Sequence, residues 1–229
     1  MPDSIRRKLL AASAILPFAG ASTVLGKYAG ACEAPKAAAA ATPKFAPPES
    51  GREIMRRRFF PNVTLVTHEG RKVRFYDDLL KDKIVVLNFM YATCTGICPT
   101  ITSHLVRARK ILQERGLARQ VSFYSITLKP QEDTPTRLKE YAEMHGAGPG
   151  WLFLTGNPDD IELLRQRLGY ADINPEVDKD TSRHNGMIRI GNEPQSLWSA
   201  CQGSAQPEWI AEEISFVVPK KPGVLTNKT

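Results

Sequence analysis

Apolar and polar positions alternate in a way that marks out most elements of the chain. Val63 to Val66 and Lys72 to Phe75 flank His68-Glu69-Gly70-Arg71. Two short strand-like runs around a glycine predict a hairpin, with Gly70 free to take positive φ. Ile84 to Phe89 is a near-continuous apolar run of strand length, as in a strand buried on both faces. From Pro99 to Arg115 the apolar residues Ile101, Leu105, Ala108, Ile111 and Leu112 recur at helical spacing, and Gly116 ends the segment. Val121 to Thr127 reads as the next strand. Thr134 as N-cap and Pro135 in the first turn open a helix to about His145. Leu152 to Leu154 reads as a short strand, and Asn157-Pro158-Asp159-Asp160 caps a helix to about Leu168. Tyr170 to Arg183 is polar and predicts a long loop. Met187 to Ile190 is a strand with which Gln195 to Trp198 can pair, and Pro207 to Ile214 is a last helix. Alternating strands and helices predict an α/β fold with a central sheet and helices on both faces. Ligand chemistry in such sheets sits at the carboxyl ends of the strands.

At that end of the Ile84–Phe89 strand stands Cys94-Thr95-Gly96-Ile97-Cys98-Pro99. Two thiols at a helix start favour thiolate, because the helix N-terminus favours negative charge. Thiolate attacks disulfides and binds soft metals, so the pair points to redox chemistry, metal chemistry or both. The other cysteines are Cys32 and Cys201, and four in all are too few for a disulfide scaffold. Cys201, Trp151, Trp198, Met90 and Met187 read as core or lining. His68 reads as solvated in its turn, His104 as turned away from Cys98, and His145 as a helix-end imidazole.

Composition adjusts this picture at the edges. A chain of 229 residues with 42% hydrophobic residues suits one globular domain with appendages. The net charge of +7 includes Arg6, Arg7, Lys8 and Lys27 near the N-terminus, and no dense basic stripe argues for nucleic acid. Residues 1–31 predict an export signal: Arg6-Arg7-Lys8, then an apolar small-residue stretch, then Ala29-Gly30-Ala31. Ser4 to Leu10 is similar to a twin-arginine signal. The predicted location is the periplasm, free or tethered to the outer face of the inner membrane. Cys32 follows directly, in a weak match to a lipidation site. Residues 32–51, rich in Ala and Pro, predict a linker, followed by a domain over 52–219 and a tail over 220–229. In an oxidising space Cys94 and Cys98 would drift to a disulfide unless a metal or reductant holds them.

The chain resembles the Sco/SenC family of copper-handling proteins with a thioredoxin-like fold, over roughly Arg52 to Val218. The resemblance rests on Cys94-x-x-x-Cys98-Pro99 after a hydrophobic strand, and on Ser125-Ile126-Thr127 followed by Asp133-Thr134-Pro135 and Leu138-x-x-Tyr141. It rests also on Trp151-x-x-Leu154-Thr155-Gly156 and on His184 shortly before a strand. It implies a three-layer fold with a central mixed sheet and an N-terminal hairpin. It further implies one copper ion, Cu(I) or Cu(II), on Cys94, Cys98 and His184. By residue type alone His184 is as readily a solvent-facing loop histidine; a soft S₂N set suits Cu(I), whereas zinc usually takes a fourth ligand. The implied recipient is a respiratory oxidase copper centre, CuA of cytochrome c oxidase, or another periplasmic copper protein. Lys129, Arg183, Asn185 and the Ile190–Pro194 segment depart from the usual family pattern. Two other readings stay open: a thiol–disulfide oxidoreductase acting through Cys94 and Cys98 on a thiol–disulfide partner, and a thiol peroxidase or redox sensor with Thr93 and Thr95 beside its cysteine.

Overall fold

The computed structural model describes residues 49–178, 180 and 185–219. The predicted signal, Cys32, most of the predicted linker, His184 and the predicted tail lie outside the described residues. Helix α1 (Gly51–Phe59) opens the domain, with Ser50 as N-cap accepting from Glu53 N–H. Strands β1 (Thr64–Thr67) and β2 (Lys72–Arg74) form the expected hairpin, with Gly70 at φ 81°. A wide helical turn, Phe75–Leu80, buries Phe75, Leu79 and Leu80 and leads into β3 (Ile84–Met90). Helix α2 (Ile97–Glu114), β4 (Val121–Thr127), α3 (Pro135–Met144), β5 (Trp151–Gly156) and α4 (Pro158–Arg167) follow. A one-turn helix α5 (Pro175–Asp178) interrupts the segment read as loop. The fold closes with the hairpin β6 (Met187–Asn192) and β7 (Leu197–Gln202) and with helix α6 (Pro207–Val217).

The seven strands form one mixed sheet in the order β2-β1-β5-β4-β3-β6-β7. The centre, β3, β4 and β5, is parallel; the flanks are antiparallel. Side-chain alternation along β3 sends Val86 and Met90 to one face, and Val85, Leu87 and Phe89 to the other. On the first face they meet Ile101, Leu105 and Leu112 of α2, Leu138 of α3 and Ile214 of α6. On the second they meet the Phe75–Leu80 turn and Ile161 and Leu164 of α4. The result is the expected three-layer α/β architecture with helices on both faces, and β3 is buried on both sides as its apolar run requires. The last strand is longer than expected, because Ser196 takes positive φ at the turn and lets β7 pair with the whole of β6.

His68 departs from its expected solvated state. Its backbone extends β1 alongside β5, and its Nδ1 accepts from Phe153 N–H at 3.1 Å. The two tryptophans read as core differ: Trp151 is buried, whereas Trp198 is half-buried against Phe60, ring centres 4.5 Å apart.

Candidate metal and redox centre

Chain topology puts the thiols where β3 ends. Met90 closes the strand, Tyr91 to Gly96 turn, and α2 starts at Ile97. Helix α2 begins two residues earlier than the pattern placed it, so Cys98 sits in its first turn. The N-cap residue Gly96 has no side chain to cap the helix, and its φ of −97° and ψ of −116° turn the chain sharply. The Cys94 sulfur takes over the capping role, accepting from the N–H groups of Cys98 and Gly96. Thr93, Thr95 and Gly96 are exposed at the rim, while Cys94 is 7% and Cys98 1% exposed.

The two thiols are driven apart electrostatically. Burial opposes the thiolate of Cys94, but hydrogen bonds from the Cys98 thiol, the two backbone N–H groups and the Tyr91 hydroxyl outweigh it, and Cys94 titrates below an ordinary thiol. Burial, followed by its hydrogen bond to Cys94, pushes Cys98 well above. Tyr91, buried and bonded to Cys94, is pushed up to about 12. Of the two, Cys94 is therefore the sulfur biased toward thiolate and Cys98 the one biased toward thiol.

A second segment braces the thiol turn. Asp133, fully buried before α3, accepts from Ala92 N–H at 3.0 Å and from the Thr127 hydroxyl at 2.5 Å, both on Oδ2. Its Oδ1 is buried without a partner. Thr127 in turn accepts from Lys129 N–H at 2.9 Å. Lys129 stands 4.7 Å from the centre of the Tyr91 ring and pairs with Glu132 at 3.4 Å. Thr93 directs its hydroxyl to Glu132, not to Cys94. Beneath Cys98, Tyr141 shares a buried hydrogen bond of 3.0 Å with Thr102, and burial pushes Tyr141 up to about 12. Tyr91, Asp133 and Lys129 were not singled out as site residues from sequence. The available signals were Asp133 directly before a capped helix and the departure at Lys129 from the family pattern.

A third element closes on the same corner. Gly186, at φ 58°, sits so tightly against α2 that a Cβ there would lie 2.8 Å from Ile97 Cδ1 and 3.1 Å from Ile101 Cδ1. Its carbonyl accepts from Gly203 N–H at 2.9 Å, and Gly203 also packs against Ile101. Only glycine allows both the positive φ and the approach. The chain thus enters β6 beside the residue that precedes Cys98. His184 itself lies outside the described residues. The other histidines are elsewhere: His68 just past β1 and bonded to Phe153 of β5, His104 half-buried on α2 with Nδ1 unpartnered, and His145 tilted against the Tyr141 ring, centres 4.2 Å apart. Cys201 is a half-buried free thiol on β7, pushed up to about 11 by burial. Among the described residues no three metal-ligating side chains converge. Two adjacent sulfurs, one biased to thiolate, fit a soft metal ion as two of its ligands.

Comparison with known proteins agrees with this fold. BsSco, described as a member of the Sco family of cytochrome c oxidase assembly proteins with a disulfide switch, aligns at TM-score 0.56 and 22% identity over 68% of this chain and 90% of that one. ScoI of Bradyrhizobium japonicum, solved with copper bound, aligns at TM-score 0.51 and 24% identity, over 68% and 96%. In sequence, the SCO1 protein homolog of Bacillus subtilis is 29% identical over 137 residues, 58% of this chain and 69% of that protein. The family description SCO1/SenC matches residues 52–218, the whole of the domain from α1 to α6, and the chain belongs to that family.

Proposed function

We propose that this chain is an exported copper carrier. Cys94 and Cys98, with His184, hold one copper ion and hand it on during assembly of a respiratory oxidase copper centre. The observation that carries the reading is the meeting of two elements at one corner: the thiol pair at the start of α2, and Gly186, two residues after His184, packed on Ile97. Two thiolates and an imidazole make a soft three-coordinate set that suits Cu(I). The copper bound by the Bradyrhizobium relative and the oxidase-assembly role given for BsSco support the cargo and the destination. Among the described residues no helix is long and apolar enough to cross a membrane. Export rests on the N-terminal sequence.

The test is anaerobic Cu(I) titration of the reduced chain against a competing chelator, for wild type, Cys94→Ser and His184→Ala. Tight one-to-one binding that both substitutions weaken at least a hundredfold is expected. Weak binding, indifferent to His184, would overturn the carrier reading.

The split between the thiols favours a second reading on the same residues. The Cys94 thiolate would attack one sulfur of a partner's disulfide and release the other as thiolate. Cys98 would then give up its proton and attack Cys94 Sγ, releasing the second partner sulfur. The partner gains a dithiol, and this chain keeps the disulfide. His184→Ala should leave that exchange intact.

A further inference from the structure

Away from the thiols, on the opposite face of the sheet, a cavity of about 320 Å³ opens between α1, the end of α4 and the β6–β7 hairpin. Its walls are Met55, Phe59, Phe60, Leu168 and Trp198. The Trp198 ring lies over Gly191, where a Cβ would come within 2.2 Å of Trp198 Cζ3, so the glycine is what lets the ring lie there as a wall. Two arginines, Arg167 and Arg189, complete the lining with Gln166 and Gly169, and no acid does.

Arg189 is the anomaly. Its guanidinium runs under Gly169, where a Cβ would lie 2.5 Å from Nη2, and past the Tyr170 ring at 5.8 Å. Its Nε is buried and has no hydrogen-bond partner. Arg189 makes no ion pair among the described residues. A guanidinium in an apolar pocket with an idle donor and no counter-charge is costly. Arg167 is partly engaged, donating from Nη1 to Arg58 O at 3.2 Å.

We propose that this cavity binds a small monocarboxylate with an apolar tail. The carboxylate would meet the Arg189 fork, which matches its planar geometry, and the tail would lie along Phe59, Phe60 and Trp198. Phosphate would satisfy the charge and leave the apolar walls wet; a neutral hydrocarbon would do the reverse. Only a ligand with both parts answers the whole lining. The site lies apart from Cys94 and Cys98 and does not depend on the copper reading.

The full chain is titrated with octanoate and, separately, with octan-1-ol of the same length, followed by calorimetry and tryptophan fluorescence. One-to-one binding of octanoate is expected, at least tenfold tighter than that of the alcohol. In Arg189→Gln the preference should shrink to within twofold. In Met55→Trp, which fills the mouth and keeps both arginines, both ligands should be lost. Equal binding of acid and alcohol by the wild type, saturable binding of neither, or a preference that survives in Arg189→Gln would each overturn the proposal. An apolar tripeptide with a free C-terminus that binds more tightly than octanoate would also overturn it, in favour of a chain end as occupant. The wild-type comparison stands even if a variant fails to fold.

Discussion

Two buried carboxylates, one at each end of β3, are treated in opposite ways. Glu193, just beyond β6, is 3% exposed, and its oxygens accept from Arg52 Nε at 2.7 Å, Arg52 Nη2 at 2.5 Å, the Tyr76 hydroxyl at 2.7 Å and Asp82 N–H at 2.8 Å. Asp133, at the thiol end, fills one oxygen with two donors and leaves the other idle. The first carboxylate ties distant segments together with every valence used. The second braces the turn that carries the two thiols, and its satisfaction is incomplete. Polar completeness marks one end of this sheet, and incompleteness marks the thiol end.

The largest effect should come from breaking the complete network. Glu193→Ala strands a guanidinium, a hydroxyl and an N–H, and should lower stability by about 3 kcal/mol in urea unfolding, with Cys94 reactivity unchanged. The same site predicts a pH dependence. Burial opposes the Glu193 carboxylate, but Arg52, Tyr76 and Asp82 N–H outweigh it and hold its pKa below the ordinary value. A lowered folded pKa means the stabilisation is present above the unfolded value of about 4.3 and is lost as pH falls through the folded one. The stability gap between wild type and Glu193→Gln should therefore narrow as pH falls below about 4. A gap constant from pH 7 to pH 3 would remove Glu193 from the comparison.

A smaller effect is expected at the incomplete carboxylate. Asp133→Ala strands Ala92 N–H and the Thr127 hydroxyl and should cost about 2 kcal/mol, and Asp133→Asn, which keeps one acceptor, about half of that. Both should also shift the pH profile of Cys94 alkylation, because the bonded N–H belongs to the thiol turn. A profile identical to wild type would make Asp133 merely structural. The smallest effect is Tyr91→Phe, which removes one donor from the Cys94 sulfur. Alkylation at pH 7 should slow roughly fivefold with stability nearly unchanged. A faster rate would mean that the hydroxyl shields the sulfur more than it stabilises the thiolate.

The thiol pair and the layers were legible in sequence because both are local patterns. The apolar run at β3 and the spacing of Ile101, Leu105 and Leu112 each declare an element without reference to the rest of the chain. Helix α1 was not legible. Its apolar residues are few, it carries Arg56-Arg57-Arg58, and what holds it is the Ser50 cap, the Glu53–Arg56 pair and Arg52 reaching Glu193 across 141 residues. The Phe75–Leu80 turn escaped because its wide winding breaks helical periodicity. Around the cysteines, Asp133 was invisible as a brace because its bond to Ala92 spans 41 residues. The Lys129 departure was visible, but its place over the Tyr91 ring was not. The role of Gly186 was hidden likewise: a glycine before a strand looks like punctuation until Ile97 is found against it.

The clamp on Arg52 also sets how the domain would hang from anything held by the residues before it. Ile84 pairs with Asn192, so Glu193 marks the amino end of β3, and the sulfurs lie beyond its carboxyl end, about 20 Å away along seven residues. A leash that enters the domain at Arg52 is moored at one pole, and the thiols occupy the other. Tension on it would be taken up at that pole, by Glu49–Arg57 and then Arg52–Glu193, before it reached the sulfur-bearing turn.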